Sequence, residues 1–308
     1  MNVSTPTTSG TAWFLEGISN LQNKQTQIQK AITSGYQVES AADAPGQAQE
    51  LVNLGSSLAA AQDYQNNLTR VQAEAGTADQ ALGAAVSLVE SARTLAINGA
   101  NTISTAADRQ TLAQQVQSVL QQLVSIANTT TEGRYIFGGD ADQTPPYQYD
   151  AASPAGVDQL TSSPATRIIT GLQGQTVYQS LTAQQIFDPV DTAGQPTAVN
   201  AFAALQSLVT ALNTNNPAGV SSAATALSGV SDYLNQQQAY YGASEQRLTS
   251  EQTTAANQVT ALQVRISSIR DTDLTQAATD LTQLSTDQAA AYSAEAAIPR
   301  KSLFDYLG

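Results

Sequence analysis

The residues able to do chemistry are few, and their types restrict what that chemistry can be. The chain has no Cys and no His. Without Cys there are no disulfides, thiolate nucleophiles or zinc–thiolate centres. Without His, the usual proton carrier near neutral pH and the commonest transition-metal ligand are both missing. Carboxylates are left. Asp271 and Asp273 stand close together where two helical stretches meet, and a solvated helix break explains them better than a cation site. Asp140 and Asp142 follow Gly139, but a calcium loop needs more oxygen ligands at fixed spacing, so a turn is expected. Tyr240-Tyr241 could stack a ligand, although core packing ahead of Gly242 is the simpler expectation. The reading is of no enzyme, with no catalytic, cofactor or metal site. Carboxylate-only hydrolysis stays open on residue type alone.

The balance of charge narrows the partners. The net charge is −13, only Lys24, Lys30 and Lys301 are lysines, and the arginines are scattered. A surface that tracks phosphates needs clustered Lys and Arg, so no nucleic-acid partner is expected. No stretch approaches the roughly 18–20 consecutive apolar residues of a membrane span, so no membrane insertion is expected. Met1–Gly10 is polar and Ser/Thr-rich, unlike a cleaved secretory signal. The protein is expected to be cytoplasmic or to leave the cell by a route that reads no such signal.

Most of the chain is patterned as helix. Phe14, Ile18, Leu21, Gln25, Ile28 and Ile32 follow one another at steps of 4, 3, 4, 3 and 4 within residues 12–32, a heptad seam. Gly35 is placed to cap that helix in the left-handed region. Residues 34–46 break the period and read as a linker containing Gly35, Val38, Asp43 and Pro45, the proline fitting the start of the next helix. From Leu51 the alternation runs through Leu54, Leu58, Ala61, Gln65, Leu68, Gln72, Ala75, Asp79, Leu82, Val86, Val89 and Arg93 to Ala96. As a continuous helix, residues 47–98 would span about 80 Å. Its polar members suit a face shared among several helices better than an isolated dimer seam.

A third helix is expected from about Ala106, with Leu112, Val116, Val119, Leu123 and Ile126. It leads to a short β-prone run between glycines, residues 133–139. Residues 140–196 are rich in Gly, Pro, Thr and Gln and carry no helical period, and Arg167-Ile168-Ile169 and Thr176-Val177-Tyr178 read as short strands. Helical pattern returns at Val199–Leu212 and again after Pro217, then runs through Leu248, Ala255, Val259, Leu262, Ile266 and Ile269. After Asp271-Thr272-Asp273 it resumes at Leu274, Ala277, Leu281 and Leu284, with Ala291 and Ile298 beyond. The tail holds Leu303, Phe304 and Leu307.

The expected fold is mainly α: a long coiled-coil-like bundle formed by the N- and C-terminal segments, with a small β-rich module inserted in the middle. Residues 1–40 and 272–308 form a terminal helical domain, 41–139 and 197–271 an inner bundle, and 140–196 an outer module. The terminal stripes are narrow. Ordering a residue costs roughly 1–2 kcal/mol of backbone entropy, while each buried Ile or Leu returns about 1.5–3 kcal/mol. Residues 1–40 and 272–308 are therefore expected to be largely disordered in the monomer and to fold on assembly.

Several motifs resemble a known family. Ser34-Gly35-Tyr36-Gln37-Val38 with Ser40-Ala41-Ala42-Asp43 is similar to the linker after the first helix of the flagellin superfamily. Gly133-Arg134-Tyr135-Ile136-Phe137-Gly138-Gly139, preceded by Asn128 and followed by Thr144-Pro145-Pro146-Tyr147, resembles an element of its hook-associated junction branch. Gly242 with Arg247-Leu248, then Ile269-Arg270-Asp271-Thr272-Asp273, and finally Ser302-Leu303-Phe304-Asp305-Tyr306-Leu307, match in the same order. The resemblance implies a structural part of the bacterial flagellum, exported without a cleaved signal through the flagellar type III apparatus. Its implied partners are further copies in a ring, a neighbouring hook-associated junction protein, flagellin and an export chaperone. A flagellin-type filament subunit is the alternative within the family. A glycan-binding or enzymatic module in residues 140–196 is the alternative from another class.

Overall fold

The computed structural model describes residues 6–40, 42–161, 165–171 and 174–297. Seven α-helices and six short strands follow in the order α1 (Pro6–Ser34), α2 (Pro45–Ala100), α3 (Ala106–Ala127), β1 (Thr130–Thr131), β2 (Arg134–Tyr135), β3 (Tyr147–Tyr149), β4 (Val157–Gln159), β5 (Ile168–Thr170), β6 (Thr176–Gln179), α4 (Ala183–Phe187), α5 (Ala201–Asn213), α6 (Pro217–Arg270) and α7 (Leu274–Ala297). The fold is mainly α with a small β-containing middle, as the periodicity indicates. Each long helix starts where the sequence offers a start. Proline is the first residue of α1, α2 and α6, where its missing N–H costs nothing. Thr105 and Asp108 form a capping box at α3.

The strands pair as three separate antiparallel hairpins, β1–β2, β3–β4 and β5–β6. The last follows the two strands read from the sequence, and β2 falls in the β-prone run at 133–139, whereas β1, β3 and β4 were not signalled. The helix α4 was not expected, because its five residues are too few to show a period. A capping box between Thr182 and Gln185 starts it.

Contacts divide the described chain into two compact units. The first comprises residues 1–62 and 257–308, the second 63–256. This differs from the sequence boundaries at 40/41 and 271/272, and the middle stretch is not a unit of its own. The reason lies in the core. One continuous buried cluster runs from Leu68 on α2 to Ala255 on α6 and takes in Phe137, Tyr147, Tyr178, Ile186 and Phe187 from the middle stretch. On α6 the seam alternates regularly as far as Ala255, then takes two four-residue steps in succession, Glu251–Ala255–Val259. Such an inserted step locally unwinds a coiled coil, and it falls beside the division at 256/257.

Within the second unit the aromatic side chains set the packing. Tyr147 and Phe202 lie 4.9 Å apart, Phe137 and Phe187 meet edge-on at 5.7 Å, and Phe137 meets Tyr241 at 6.4 Å. Arg109 is buried, with no carboxylate ion-paired to it among the described residues. Its guanidinium donates to the carbonyls of Gly99 (2.7 Å) and Asn101 (2.9 Å) and to Asn215 Oδ1 (2.5 Å). It thereby satisfies acceptors in the last turn of α2 and just past the ends of α2 and α5.

Candidate functional site: the paired end helices and their linker

Helices α1 and α7 pack against each other in the first unit. Their pairing is antiparallel, fixed at one end by the bridge Tyr36–Asp271 and toward the other by Phe14 against Tyr292, edge-on at 6.5 Å. Along α1, Ile18 is buried, and Phe14, Leu21, Ile28 and Ile32 are half-buried. On α7, Ala277 is buried and Leu281 and Leu284 are half-buried. Leu274 departs from its expected place in this seam. It opens α7 and is 54 % exposed. Ile298, Leu303, Phe304 and Leu307 lie outside the described residues. The period did not pick out Trp13 and Leu15, which flank the seam and are 78 % and 65 % exposed.

The two interruptions of the helical pattern meet in space. Gly35 has φ +79°, a left-handed conformation that a Cβ would strain, and its N–H closes α1 onto Ala31 O at 2.9 Å. The backbone then pairs with the end of α6: Gln37 N–H donates to Arg270 O (2.8 Å) and Thr272 N–H to Gly35 O (2.8 Å). The Arg270 guanidinium lies over the Tyr36 ring, 4.3 Å from its centroid, a cation–π contact. Val38 is buried. Asp43 accepts from the N–H groups of Ser40 (2.7 Å) and Glu39 (3.1 Å) and from the Ser40 hydroxyl (2.9 Å). Pro45 opens α2.

Two linker carboxyls are held below the ordinary carboxylate range. For Asp43 the first cause is the Ser40 N–H, followed by the Ser40 hydroxyl. For Asp271 it is the hydrogen bond from Ser267, then that from Arg270. Asp273 caps α7 through the N–H groups of Thr275 (2.9 Å) and Gln276 (3.1 Å). Both aspartates thus serve the helix break. Lys30 is pushed up, first by its hydrogen bond to Glu39 at 2.8 Å.

The glycine-bounded motif belongs to the second unit. Gly133 completes the β1–β2 turn and Tyr135 N–H donates to Asp142 O at 2.9 Å. Arg134 reaches Asp142 Oδ2 at 3.2 Å. Asp142 is buried between Arg134 and Arg167, and Arg167 also pairs with buried Glu74 on α2. Burial, the largest cause, raises the Glu74 carboxyl against the opposing pull of Arg167. Phe137 enters the core while its carbonyl accepts from Ala183 N–H at 2.7 Å. A Cβ on Gly138 would sit 3.0 Å from the Asp142 Cα, so a side chain there would need the loop backbone to shift by a few tenths of an ångström. Gly139 follows it in the turn, and both are buried. Asn128 grips Tyr147 twice, its amide donating to Tyr147 O at 2.6 Å and its Oδ1 accepting from Tyr147 N–H at 3.1 Å. Tyr241 is buried and Tyr240 donates to Gln179 O at 2.8 Å, so this pair is core. The motif ties the middle stretch onto the helices.

Comparison with known proteins follows the same residues. The bacterial flagellin N-terminal helical region matches residues 9–142, and the bacterial flagellin C-terminal helical region matches residues 225–307. The chain belongs to the flagellin superfamily. It is 28 % identical over 207 residues to the flagellar hook-associated protein 3 of Escherichia coli strain K12, and 25 % identical over 205 residues to that of Salmonella typhimurium strain LT2. Each match covers 65 % of this chain and 63 % of the relative's own length. The fold resembles that of a Vibrio parahaemolyticus chain provisionally named a flagellar hook-associated protein, with a TM-score of 0.63 and 20 % identity over 74 % of this chain and 100 % of that one. It also resembles FlgL from Bacillus cereus, with a TM-score of 0.54 and 16 % identity over 70 % and 99 %. No described helix of this flagellin-superfamily chain is long and apolar enough to cross a membrane.

Proposed function

We propose that the chain is a structural component of the bacterial flagellum, an adaptor at the hook–filament junction that assembles through residues 1–40 and 272–308. It would form a ring of identical subunits, with one neighbour a further hook-associated junction protein and the other flagellin. It would reach that place by flagellar type III export, held by a chaperone beforehand.

One observation carries the reading. Among the described side chains of α1 and α7, Ile18 and Ala277 are the buried apolar ones, although these helices comprise 29 and 24 residues. Two helices that meet along one thin seam recover little of the roughly 1–2 kcal/mol of entropy that each ordered residue costs. Trp13, Leu15 and Tyr292 are half or more exposed around the same seam. Neighbouring subunits would supply the missing cover. The kinship with hook-associated protein 3 favours the junction over the filament.

The test is polymerisation of the purified protein alone, followed by ultracentrifugation and electron microscopy. Monomers or short rings, with incorporation at the hook tip that is lost when both end segments are removed, are expected. Long filaments would make the protein a filament subunit, and incorporation without the ends would overturn the reading.

A further inference from the structure

The first unit carries an apolar groove that its own end helices do not fill. Val38 of the linker, Leu51, Val52 and Leu58 of α2 and Ile266 of α6 line a cavity of about 410 Å³. Val52 is 64 % exposed. The floor includes Gly55, where an added Cβ would meet nothing within 4 Å, so a second backbone can come close. Arg265 and Arg270 stand along the same stretch of α6, with side chains 64 % and 42 % exposed, in surface pairs with Glu50 (2.6 Å) and Asp271 (2.9 Å).

We propose that this groove seats helix α7 of a second copy of the chain. The inference rests on the assembly reading above and names the surface that assembly would use. Helix α7 has a second stripe beside the one it turns to α1: Asp280, Gln283, Asp287, Ala290, Ala294 and Ala297, at steps of 3, 4, 3, 4 and 3. Apart from half-buried Asp280 this stripe is exposed. Helix α7 contains Asp280, Asp287 and Glu295 and no Lys or Arg. The acids Asp280 and Asp287 rise about 10.5 Å apart and Arg265 and Arg270 about 7.5 Å, a mismatch that long arginine side chains can span. The alanines at the other end of the stripe have the small bulk that a groove floored by glycine admits. Size therefore matches α7 to this groove, and because exposed ion pairs are worth little the acids of α7 can share the two arginines with Glu50 and Asp271.

The absence of cysteine gives a clean test. Copies bearing V52C are mixed with copies bearing A290C, assembled and oxidised, with A278C on the opposite flank of α7 as the control. A disulfide-linked dimer with A290C and none with A278C is expected. In parallel, R265E should raise the concentration needed for incorporation at the hook tip at least tenfold, and D280K in the same chain should bring it back. Assembly without the A290C crosslink, or without rescue by D280K, overturns the groove and leaves the junction reading standing. Failure of the parent chain to be incorporated at the hook tip overturns both.

Discussion

Helices α2 and α6 contribute to both units, and their residues meet different fates in each. In the second unit the α2 seam is sealed: Leu68, Ala75, Leu82, Val89 and Ala96 are 0 % exposed. A second row, Val71, Ala78, Ala85 and Ala92, is buried as well. In the first unit the same row continues through Leu54 and Ala61, which are also buried, and its alternate members are half-buried in both units, Leu51 and Leu58 in the first and Gln72, Asp79, Val86 and Arg93 in the second. The units differ in the second row, which in the first unit is Glu50 and Ser57, neither of them buried. A heptad seam shows that a helix has a partner, whereas the second row shows how many partners it has. The apolar second row matches a helix enclosed by several elements, and the polar one a helix left with a thin contact.

The sharpest way to break this contrast is to cut one large side chain from each unit. Phe202 is fully buried against Tyr147 and Phe187. F202A should cost about 3–5 kcal/mol, read as a lower urea midpoint of the cooperative transition. Ile18 lies on the thin seam, where I18A should leave that midpoint within about 0.5 kcal/mol, the usual size of a change outside a packed core. The same change should abolish assembly. Equal losses from the two substitutions would mean that the ends are as well packed as the core.

Next in size is the motif that holds the middle stretch. N128A strands the N–H and carbonyl of Tyr147, partners of Asn128 at 3.1 and 2.6 Å. Leaving buried polar groups unpaired costs about 1–3 kcal/mol, and protease cleavage between residues 140 and 160 should accelerate accordingly. Unchanged cleavage would show that the aromatic contacts alone secure the stretch.

How much of this was legible follows the same division. The seams of α1, α2 and α7, the break at residues 34–46 and the one at 271–273 could all be read, because a period of seven needs only the local sequence. That the two breaks pair with each other could not be read: Gln37 to Arg270 is a backbone contact, blind to side-chain pattern. The β3–β4 hairpin was missed because its strands, Tyr-Gln-Tyr and Val-Asp-Gln, lack the β-branched run that marks β5 and β6. Arg109 was passed over among scattered arginines, since nothing local marks it as the clamp between two turns. The contact boundary at 62/63 and 256/257 was hidden because it interrupts no helix, although the polar second row and the slip at Ala255 carried the signal.

The linker gives two smaller effects that sharpen the comparison. G35A places a Cβ at φ +79°, a conformation costing roughly 1–2 kcal/mol for a non-glycine residue. The loss should appear as faster amide exchange in residues 35–40 and leave the second unit untouched.

Acid should act at the same place more weakly. Asp43 and Asp271 titrate below the ordinary carboxylate range in the fold. An unfolded aspartate has a pKa of about 3.9. Just below that pH the unfolded chain holds more protons than the folded one, so folding loses stability as pH falls through the lowered values. The linker contribution is therefore complete at neutral pH and lost progressively below about pH 4. Both groups lie at the surface, so salt screens the charged part of the effect. Amide exchange of the linker measured across pH 5 to 2.5 should show earlier opening there than in the aromatic core, after correction for the intrinsic exchange rate. D43N should remove part of that pH dependence, because an amide keeps an acceptor for the Ser40 N–H but has no proton to take up. A linker that opens only together with the core would mean that backbone pairing to Arg270, and not the two carboxylates, holds it closed.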